Sequence, residues 1–261
     1  MKEDESTKEQ IYIVTGSEQF PRKAFELACK IANKHERGIC FLSIAGKGND
    51  ILSQWSSQYS PEVNKALTYH IMEAGDDFTD FMERNEAAAV VFEINGLGNF
   101  KNCKFALKLC RELRIPYYFV KPEQEIDFSR VLVPIGFLVE EREKGVFCSG
   151  MGRFFRSELI LMPAHDYGSR AKENTENIIK LLEKFQLNYK IAEAKKNSFK
   201  IEKEALRRSQ EFNAGLLLIS ASRDYGMDDI LFGPKEQRII NESDIPIMVI
   251  NPRKDLYALC N

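Results

Sequence analysis

The residues of this chain that could support acid–base or phosphate chemistry lie in short polar stretches that follow apolar runs. His165 and Asp166, in "AHDYGSR", place an imidazole beside a carboxylate, a combination used in proton transfer. The stretch "GKGND" (46–50) has a lysine between glycines but lacks the spacing of a phosphate-binding P-loop. The three histidines are scattered, and no cluster has metal-ligand spacing. Without a nearby nucleophile signature, His165–Asp166 is expected to be part of a polar loop.

The apolar runs that must position these stretches occur twice, in the same order. "LTYHIMEA" (67–74) and "LNYKIAEA" (187–194) match at Leu, Tyr, Ile, Glu and Ala. At the same separation, "IYIVTG" (11–16) aligns with "VLVPIG" (131–136). Because the matching segments keep their order, the sequence predicts one module written twice.

Each copy contains five apolar runs that alternate with helical patterns. The runs are rich in Val, Ile, Phe and Tyr, which is typical of strands buried on both faces. The predicted strands are 10–16, 39–45, 67–73, 88–94 and 115–120, then 130–135, 158–163, 187–193, 215–220 and 245–250. The predicted helices are 21–36, 103–114, 173–186 and 200–212. This alternation indicates parallel strands joined by right-handed crossovers, with helices on both faces of a sheet.

Two segments are less regular. The polar stretch 121–129 is the predicted linker, so the domains are expected to span 1–122 and 123–261. The segment 141–157 should be a helix by comparison with the first copy, yet it contains several glycines, which weaken helices. Either its small residues let the helix lie close to the sheet, or the helix is broken; the sequence leaves both readings open. The small residues of that face are Gly145, Ser149 and Gly152.

Composition and charge restrict the classes of function. The formal charge is −2, from 37 Lys and Arg against 39 Asp and Glu, which argues against a sequence-independent nucleic-acid binder. The polar N-terminus and the lack of an 18-residue apolar run predict no signal peptide and no membrane span. The six cysteines form no C-x-x-C pair, so we expect a reducing cytoplasmic location without a disulfide framework.

Ligands of open parallel sheets bind beyond the carboxyl ends of the strands, where the strand order reverses. The candidate ligand-binding residues therefore follow the first, second and fourth strands of each copy. In the first copy they are Thr15, Gly16, Ser17, Ala45, Gly96 and Gly98. In the second copy they are Ile135, Gly136, Ala164, Ser220, Ser222, Gly226 and Gly233.

The ordered set of features resembles the universal stress protein domain, over nearly the whole chain and twice. The features are a first strand ending in G-S-E, a glutamate at the end of the third strand (Glu73 and Glu193), a glycine loop after the fourth strand, and a last strand of the type I/V-P-x-x-V/I. The resemblance implies two open-twisted five-stranded parallel sheets in the order 3-2-1-4-5 with helices on both faces, an adenine-nucleotide-alpha-hydrolase-like arrangement. It also implies an intrachain pseudo-dimer through the last strands, with a homodimer as a further option.

Many members of that family bind ATP, and the resemblance locates the residues they would use. These members have an Asp near the end of the first strand and, after the fourth strand, a G-x-x-G loop followed by G-S/T. They bind the phosphates at the N-terminus of the next helix. Here the Asp position holds Thr15 in one copy and Ile135 in the other. In the second copy "SASR" (220–223) replaces G-x-x-G, and Pro234 replaces the hydroxyl residue and removes a backbone N–H.

The first copy is also incomplete. It keeps Gly96 and Gly98 but has a shorter loop, and Cys103 stands where the second copy has Gly233. We therefore expect a non-catalytic stress-response regulator that binds a protein partner or small ligand and needs no cofactor. The alternative is a member that binds ATP or AMP in one crevice, and a third option is a hydrolase that uses His165 and Asp166.

Overall fold

The computed structural model describes residues 9–44, 49–73, 75–95, 103–222 and 235–253. The chain divides into two compact units, Met1–Gln124 and Glu125–Asn261. The predictions for Ala45, Gly96, Gly98, Gly226 and Gly233 lie outside the described residues. Among the described residues, no helix is both long and apolar enough to cross a membrane.

The first unit is an α/β fold with parallel strands in the order β3-β2-β1-β4-β5. A short 3-10 helix, Ser60–Glu62, precedes β3. The elements are β1 Ile11–Thr15, α1 Arg22–His35, β2 Ile39–Ser43, α2 Asn49–Tyr59, β3 Leu67–Ile71, α3 Phe78–Arg84, β4 Ala89–Glu93, α4 Lys104–Leu109 and β5 Tyr117–Val120.

The second unit repeats this order as β8-β7-β6-β9-β10, again with parallel pairing. A 3-10 helix, Val139–Glu143, follows β6 and leads directly into α5. The elements are β6 Arg130–Ile135, α5 Lys144–Phe155, β7 Glu158–Pro163, α6 Arg170–Lys184, β8 Tyr189–Ile191, α7 Ile201–Arg207, β9 Leu216–Ser220, α8 Lys235–Glu242 and β10 Ile247–Ile250.

The α/β class, the parallel pairing and the strand order within each unit agree with the prediction, but the number of sheets does not. The ten strands are assigned to one ten-stranded sheet, to which each unit contributes five. A continuous apolar run indicates that both faces of a strand are buried. An apolar run does not indicate which strand pairs with the edge of a sheet. The prediction of two separate sheets was therefore wrong.

The burial of the core strands and of helix α1 follows the pattern of apolar residues in their sequences. Every residue of β1, β2 and β4 is buried, as expected for strands covered on both faces. Helix α1 buries one face, and its remaining positions are polar. The helix ends where Glu36 adopts a left-handed conformation and the Arg37 N–H returns to the carbonyl of Ala32.

Helix α2 is absent from the predicted helices. Trp55 is buried in an aromatic cluster, with its ring centroid 5.4 Å from that of Phe20 and 5.7 Å from that of Phe41. The hydroxyl of Ser56 donates to the carbonyl of Leu67 at 2.7 Å, which ties α2 to β3. The buried indole of Trp55 therefore packs against β2 through Phe41.

The glycine-rich segment forms one continuous helix, α5. The space beside Gly145 is closed by Ile178 and Leu181 of α6, and that beside Gly152 by Leu187. The small-residue face therefore permits close packing, but against α6 and the chain that follows it rather than against the sheet. Among the described residues, no atom outside α5 lies within 4 Å of the position that a side-chain carbon at Gly150 would take.

The predicted polar linker is partly packed. Ile126 and Phe128 are buried, and the Phe128 ring meets the Phe155 ring edge-on at 5.1 Å. Ser157 also donates its hydroxyl to the carbonyl of Phe128 at 2.5 Å. The C-terminal part of 121–129 thus belongs to the core of the second unit, because two apolar residues in the stretch outweigh its polar average.

Candidate functional site

The second unit contains a cavity of about 270 Å³ at the carboxyl ends of β6 and β9. This is the place where the strand order reverses, and open parallel sheets bind their ligands there. Its apolar walls come from two loops and the chain after β10, and its floor and rim carry charged side chains. The apolar lining residues are Phe137, Leu138, Phe199, Ile201, Ala221 and Pro252.

A buried ion pair lies beside the cavity, and one of its members, Glu141, lines it. Lys144 is fully buried, and its Nζ lies 2.8 Å from Glu141 Oε2 and donates to the Pro134 carbonyl at 2.6 Å. The same Glu141 oxygen accepts the N–H of Gly136 at 2.9 Å. Burial favours a raised pKa for the Glu141 carboxyl, but the Lys144 charge and these hydrogen bonds outweigh it and lower the pKa.

A second carboxylate closes the β9 side. Glu236, in the first turn of α8, is buried, and one of its oxygens accepts both the backbone N–H and the hydroxyl of Ser222. Burial raises the pKa of the Glu236 carboxyl, and the Ser222 hydrogen bonds and the Lys235 charge only partly oppose that rise. A carboxylate from the first turn of α8 therefore takes both donors of Ser222, in the loop where, by resemblance, the G-x-x-G motif would stand.

The rim carries one more ion pair. Lys235 Nζ lies 3.1 Å from Glu202 Oε1, and the lysine side chain is 49% exposed. Burial favours a lowered pKa for the Lys235 ammonium, but the charges of Glu202, Glu236 and Glu141 outweigh it and raise the pKa. The only lining cation among the described residues is thus engaged with acidic neighbours.

One lining group has no partner. The hydroxyl oxygen of Ser220, at the end of β9, is buried and makes no hydrogen bond within the described part of the chain. A buried hydroxyl without a partner costs free energy, so it is a place where a ligand can contribute a hydrogen bond.

The structure brings together three of the five candidates that can be checked in the second unit. Gly136, Ser220 and Ser222 line the cavity. Ile135 is fully buried in β6, and Ala164 is buried where its N–H pairs with the Ile135 carbonyl, so neither is among the lining residues. Those two predictions are corrected, because both residues serve the pairing of β7 with β6.

Asp166, the carboxylate of the acid–base candidate His165–Asp166, makes hydrogen bonds that join two loops. Both carboxylate oxygens of Asp166 accept hydrogen bonds from Ser198, one from its N–H at 2.9 Å and one from its hydroxyl. Ser198 in turn accepts the N–H of Phe137 at 2.8 Å. His165 is exposed and pairs through its backbone with the Lys196 carbonyl. Asp166 thus joins the loop after β7 to the loop that precedes α7.

In the first unit, the three candidates after β1 form a local turn. The Thr15 hydroxyl donates to the Ser17 carbonyl at 3.4 Å and accepts the Ser17 N–H at 3.5 Å. Thr15 is buried, and Gly16 and Ser17 are half-buried. The hydroxyl that replaces the family's Asp is therefore engaged with its own turn.

Glu93, at the end of β4, is the functional candidate that sequence reasoning missed. Its Oε2 accepts the N–H groups of Lys23 and Ala24, at 2.7 and 3.2 Å, at the start of α1. Burial raises the pKa of the Glu93 carboxyl, while those two backbone hydrogen bonds lower it in part. A glutamate ending the otherwise apolar strand "AVVFE" was the available signal, since a buried carboxylate needs donors nearby.

Glu93 and Ser220 occupy equivalent positions in the two units. Ile11 pairs with Ala89 in the first unit, and its repeat counterpart Val131 pairs with Leu216 in the second. The fourth residue after Ala89 is Glu93, and the fourth residue after Leu216 is Ser220. The first unit therefore fills this position with a carboxylate that caps its own helix, whereas the second unit leaves a short hydroxyl beside a cavity.

The described residues include no group of three or more His, Cys, Asp and Glu side chains placed to hold a metal ion. Cysteines 29, 40, 103, 110 and 148 form no disulfide within the described part of the chain. Burial raises the pKa of the Cys148 thiol to about 12 and that of the Cys29 thiol to about 11. Since the thiolate is the reactive form, these two thiols are poor nucleophiles at neutral pH.

Taken together, the parallel strands in the order 3-2-1-4-5, the helices between them and a crevice at the switch point define a doubly wound α/β protein. No family model matches the chain, and the curated proteins contain no match. Solved structures do match it in fold.

A universal stress protein from Archaeoglobus fulgidus DSM 4304 is 15% identical, with a TM-score of 0.65, covering 97% of this chain and 100% of that one. A candidate universal stress protein from Pseudomonas aeruginosa UCBPP-PA14 is 13% identical, with a TM-score of 0.68, covering 98% and 97%. A protein of unknown function from Pseudomonas aeruginosa PAO1 is 14% identical, with a TM-score of 0.65, covering 98% and 96%. At these identities the likeness establishes that the chain has the fold of universal stress proteins.

Proposed function

We propose that this chain is a tandem universal stress protein that acts as a non-catalytic, cytoplasmic stress-response regulator. It works by binding a protein partner or a small ligand, and its ATP-binding motifs are degenerate. The likeness in fold to two proteins described as universal stress proteins supports the family. The engagement of Asp166 by Ser198 supports a structural rather than a catalytic role for the acid–base candidate.

One observation carries the proposal: the protein's own carboxylates occupy the backbone donors that a phosphate would need. Glu141 takes the N–H of Gly136, and Glu236 takes both donors of Ser222. Loops that cradle phosphate do so with free backbone N–H groups. An incoming triphosphate would have to displace buried carboxylates and would meet their charge, so we expect no useful affinity for ATP.

A thermal unfolding experiment tests this expectation. If ATP bound with a Kd one hundredth of its concentration, it would stabilise the folded chain by about 2.7 kcal/mol. For a chain of this size that corresponds to a rise in Tm of roughly 5–10 °C. We expect a shift of less than about 1 °C with 1 mM Mg-ATP, ADP or AMP, and no nucleotide in a denatured extract of the purified protein.

A large shift, or stoichiometric copurified nucleotide, would establish the alternative, an ATP-binding universal stress protein. Loss of that shift in Thr15→Ala or in Gly136→Ala would assign the nucleotide to the first or the second unit. Steady ATP hydrolysis that disappears in Asp166→Asn would instead establish a hydrolase.

The intrachain pseudo-dimer through the last strands, and a homodimer, stay predictions. Tyr118 in β5 and Met248 in β10 are both buried. We expect Tyr118→Glu and Met248→Glu each to increase cleavage in limited proteolysis near residues 121–125. The control is Leu42→Glu in β2, a comparably buried strand position that is not in a last strand. Equal cleavage patterns in all three variants would contradict the pairing.

A further inference from the structure

The second-unit cavity differs from a phosphate site in the chemistry of its lining. It is enclosed by apolar side chains, two of which lie at its mouth: Leu138 is 51% exposed and Phe199 is 83% exposed. The Phe199 ring centroid lies 5.6 Å from that of Phe137. Small-molecule sites are mostly apolar with a few polar groups that set orientation. A cavity of about 270 Å³ of this kind suits the hydrocarbon part of a small organic molecule.

The charge of the lining is negative. Among the described lining residues, Glu140, Glu141 and Glu202 are acidic and only Lys235 is basic. Just behind the lining, Lys144 and Glu236 add one charge of each sign. Carboxylates removed from water are stabilised by a nearby positive charge, so this lining favours a cation and disfavours an anion.

The polar group left to fix a ligand is the Ser220 hydroxyl, which is buried and unpartnered within the described residues. The neighbouring donors, the Gly136 N–H and both Ser222 groups, are already engaged by carboxylates. Ser220 oxygen can accept a hydrogen bond from an ammonium group. In the first unit the equivalent Glu93 makes its own contacts with α1, so this opening belongs to the second unit.

We propose that the second-unit cavity binds a small amphipathic amine, whose ammonium group lies among the glutamates and donates to Ser220 while its apolar body contacts Phe137, Phe199 and Ile201. The proposal rests on the proposed function, because it names the class of ligand for a regulator that does not bind ATP. The lack of a metal-ligand cluster among the described side chains favours an organic cation over a metal ion.

The test uses the full chain and three probes that differ in one group: 2-phenylethylamine, 2-phenylethanol and 3-phenylpropionate. Binding is measured by isothermal titration calorimetry with millimolar probe at pH 7. We expect the amine to bind at least about tenfold more tightly than the alcohol, since a hydrogen bond to a charged group is stronger than one between neutral groups. The carboxylate is expected not to bind.

Two variants are expected to shift amine binding in opposite directions. Ser220→Ala removes the unpartnered hydroxyl and should weaken binding about tenfold. Lys235→Gln removes the lining cation and should strengthen it about threefold or more, because like charges repel. The control is Ser209→Ala, which alters an equally buried serine of the same unit that does not line the cavity, and should leave amine binding unchanged. Tm values show whether each variant is folded.

The outcomes separate this inference from the function on which it rests. Equal or tighter binding of 3-phenylpropionate, or no binding of any probe to the folded chain, would overturn the amine site. Either result leaves the ATP-independent regulator standing if Mg-ATP also fails to shift the Tm. Binding of Mg-ATP that displaces the amine would overturn the proposed function itself.

Discussion

Lys144→Met is expected to lower the free energy of unfolding by about 3–5 kcal/mol, because it leaves the Glu141 carboxylate buried without its cation. Lys144 is fully buried, and Glu141 is its only salt-bridge partner among the described residues. The methionine fills similar volume, so the loss is electrostatic rather than a cavity effect. Chemical denaturation at pH 7 measures it.

A double variant separates the lost charge from altered packing. Lys144→Met combined with Glu141→Gln removes both charges of this pair, and the glutamine oxygen can still accept the Gly136 N–H. We expect the double variant to recover more than half of the stability lost by Lys144→Met, because removing both charges costs far less than removing one. A double variant no more stable than Lys144→Met would contradict the assignment.

The pH dependence has a definite sign. In the native chain the pKa of Glu141 is lowered, so its contribution to stability is present above the unfolded pKa and is lost as the pH falls through the folded pKa. In Lys144→Met, burial raises the pKa of the Glu141 carboxyl, and only the Gly136 N–H and the more distant Lys235 charge still lower it. The stability deficit should therefore be largest at pH 7 and smaller at pH 5; an equal deficit would contradict the electrostatic cause.

The fold was predictable because its signals are local. Runs such as "IYIVT" and "AVVFE" are apolar except for their last residue, and their alternation with helical patterns is enough to specify parallel strands. Because the sequence repeats internally, each weakly predicted strand or helix could be compared with its counterpart in the other copy. Helix α2 was missed although its buried residues carry a helical spacing, with Leu52 and Trp55 three positions apart. The polar residues between them, Ser53 and Gln54, made the helical spacing hard to recognise in the sequence.

The site was only partly predictable, because its decisive contacts join residues distant in sequence. The repeat predicted Gly136, Ser220 and Ser222 as neighbours, and all three line the second-unit cavity. It could not show that Glu236 would take both donors of Ser222, or that Glu93 would reach the start of α1, 70 residues away. Such pairings depend on side-chain reach after folding, and neither composition nor spacing encodes it.

Glycines at two positions of the second unit are expected to respond to alanine in opposite directions. Gly215 precedes β9, and a side-chain carbon there would lie 2.2 Å from the backbone carbonyl oxygen of Asp127. No rotamer change relieves a clash with backbone. The Gly215 N–H also donates to the Arg130 carbonyl at 3.0 Å, so a displacement would weaken the start of the β6–β9 pairing. We expect Gly215→Ala to lower the free energy of unfolding by about 3 kcal/mol.

Gly150→Ala is the matched control, because the space beside Gly150 is open and the residue lies inside α5. Alanine loses less backbone entropy than glycine on folding, so this variant should gain about 0.5–1 kcal/mol. Gly152→Ala should fall between the two, since the nearest atom, at 2.9 Å, is the end of the flexible Leu187 side chain. Denaturant titration of the three variants checks the order. A Gly215→Ala variant as stable as Gly150→Ala would show that the chain at Asp127 does not lie against β9, and with it that 125–129 is a free linker rather than part of the second unit's core.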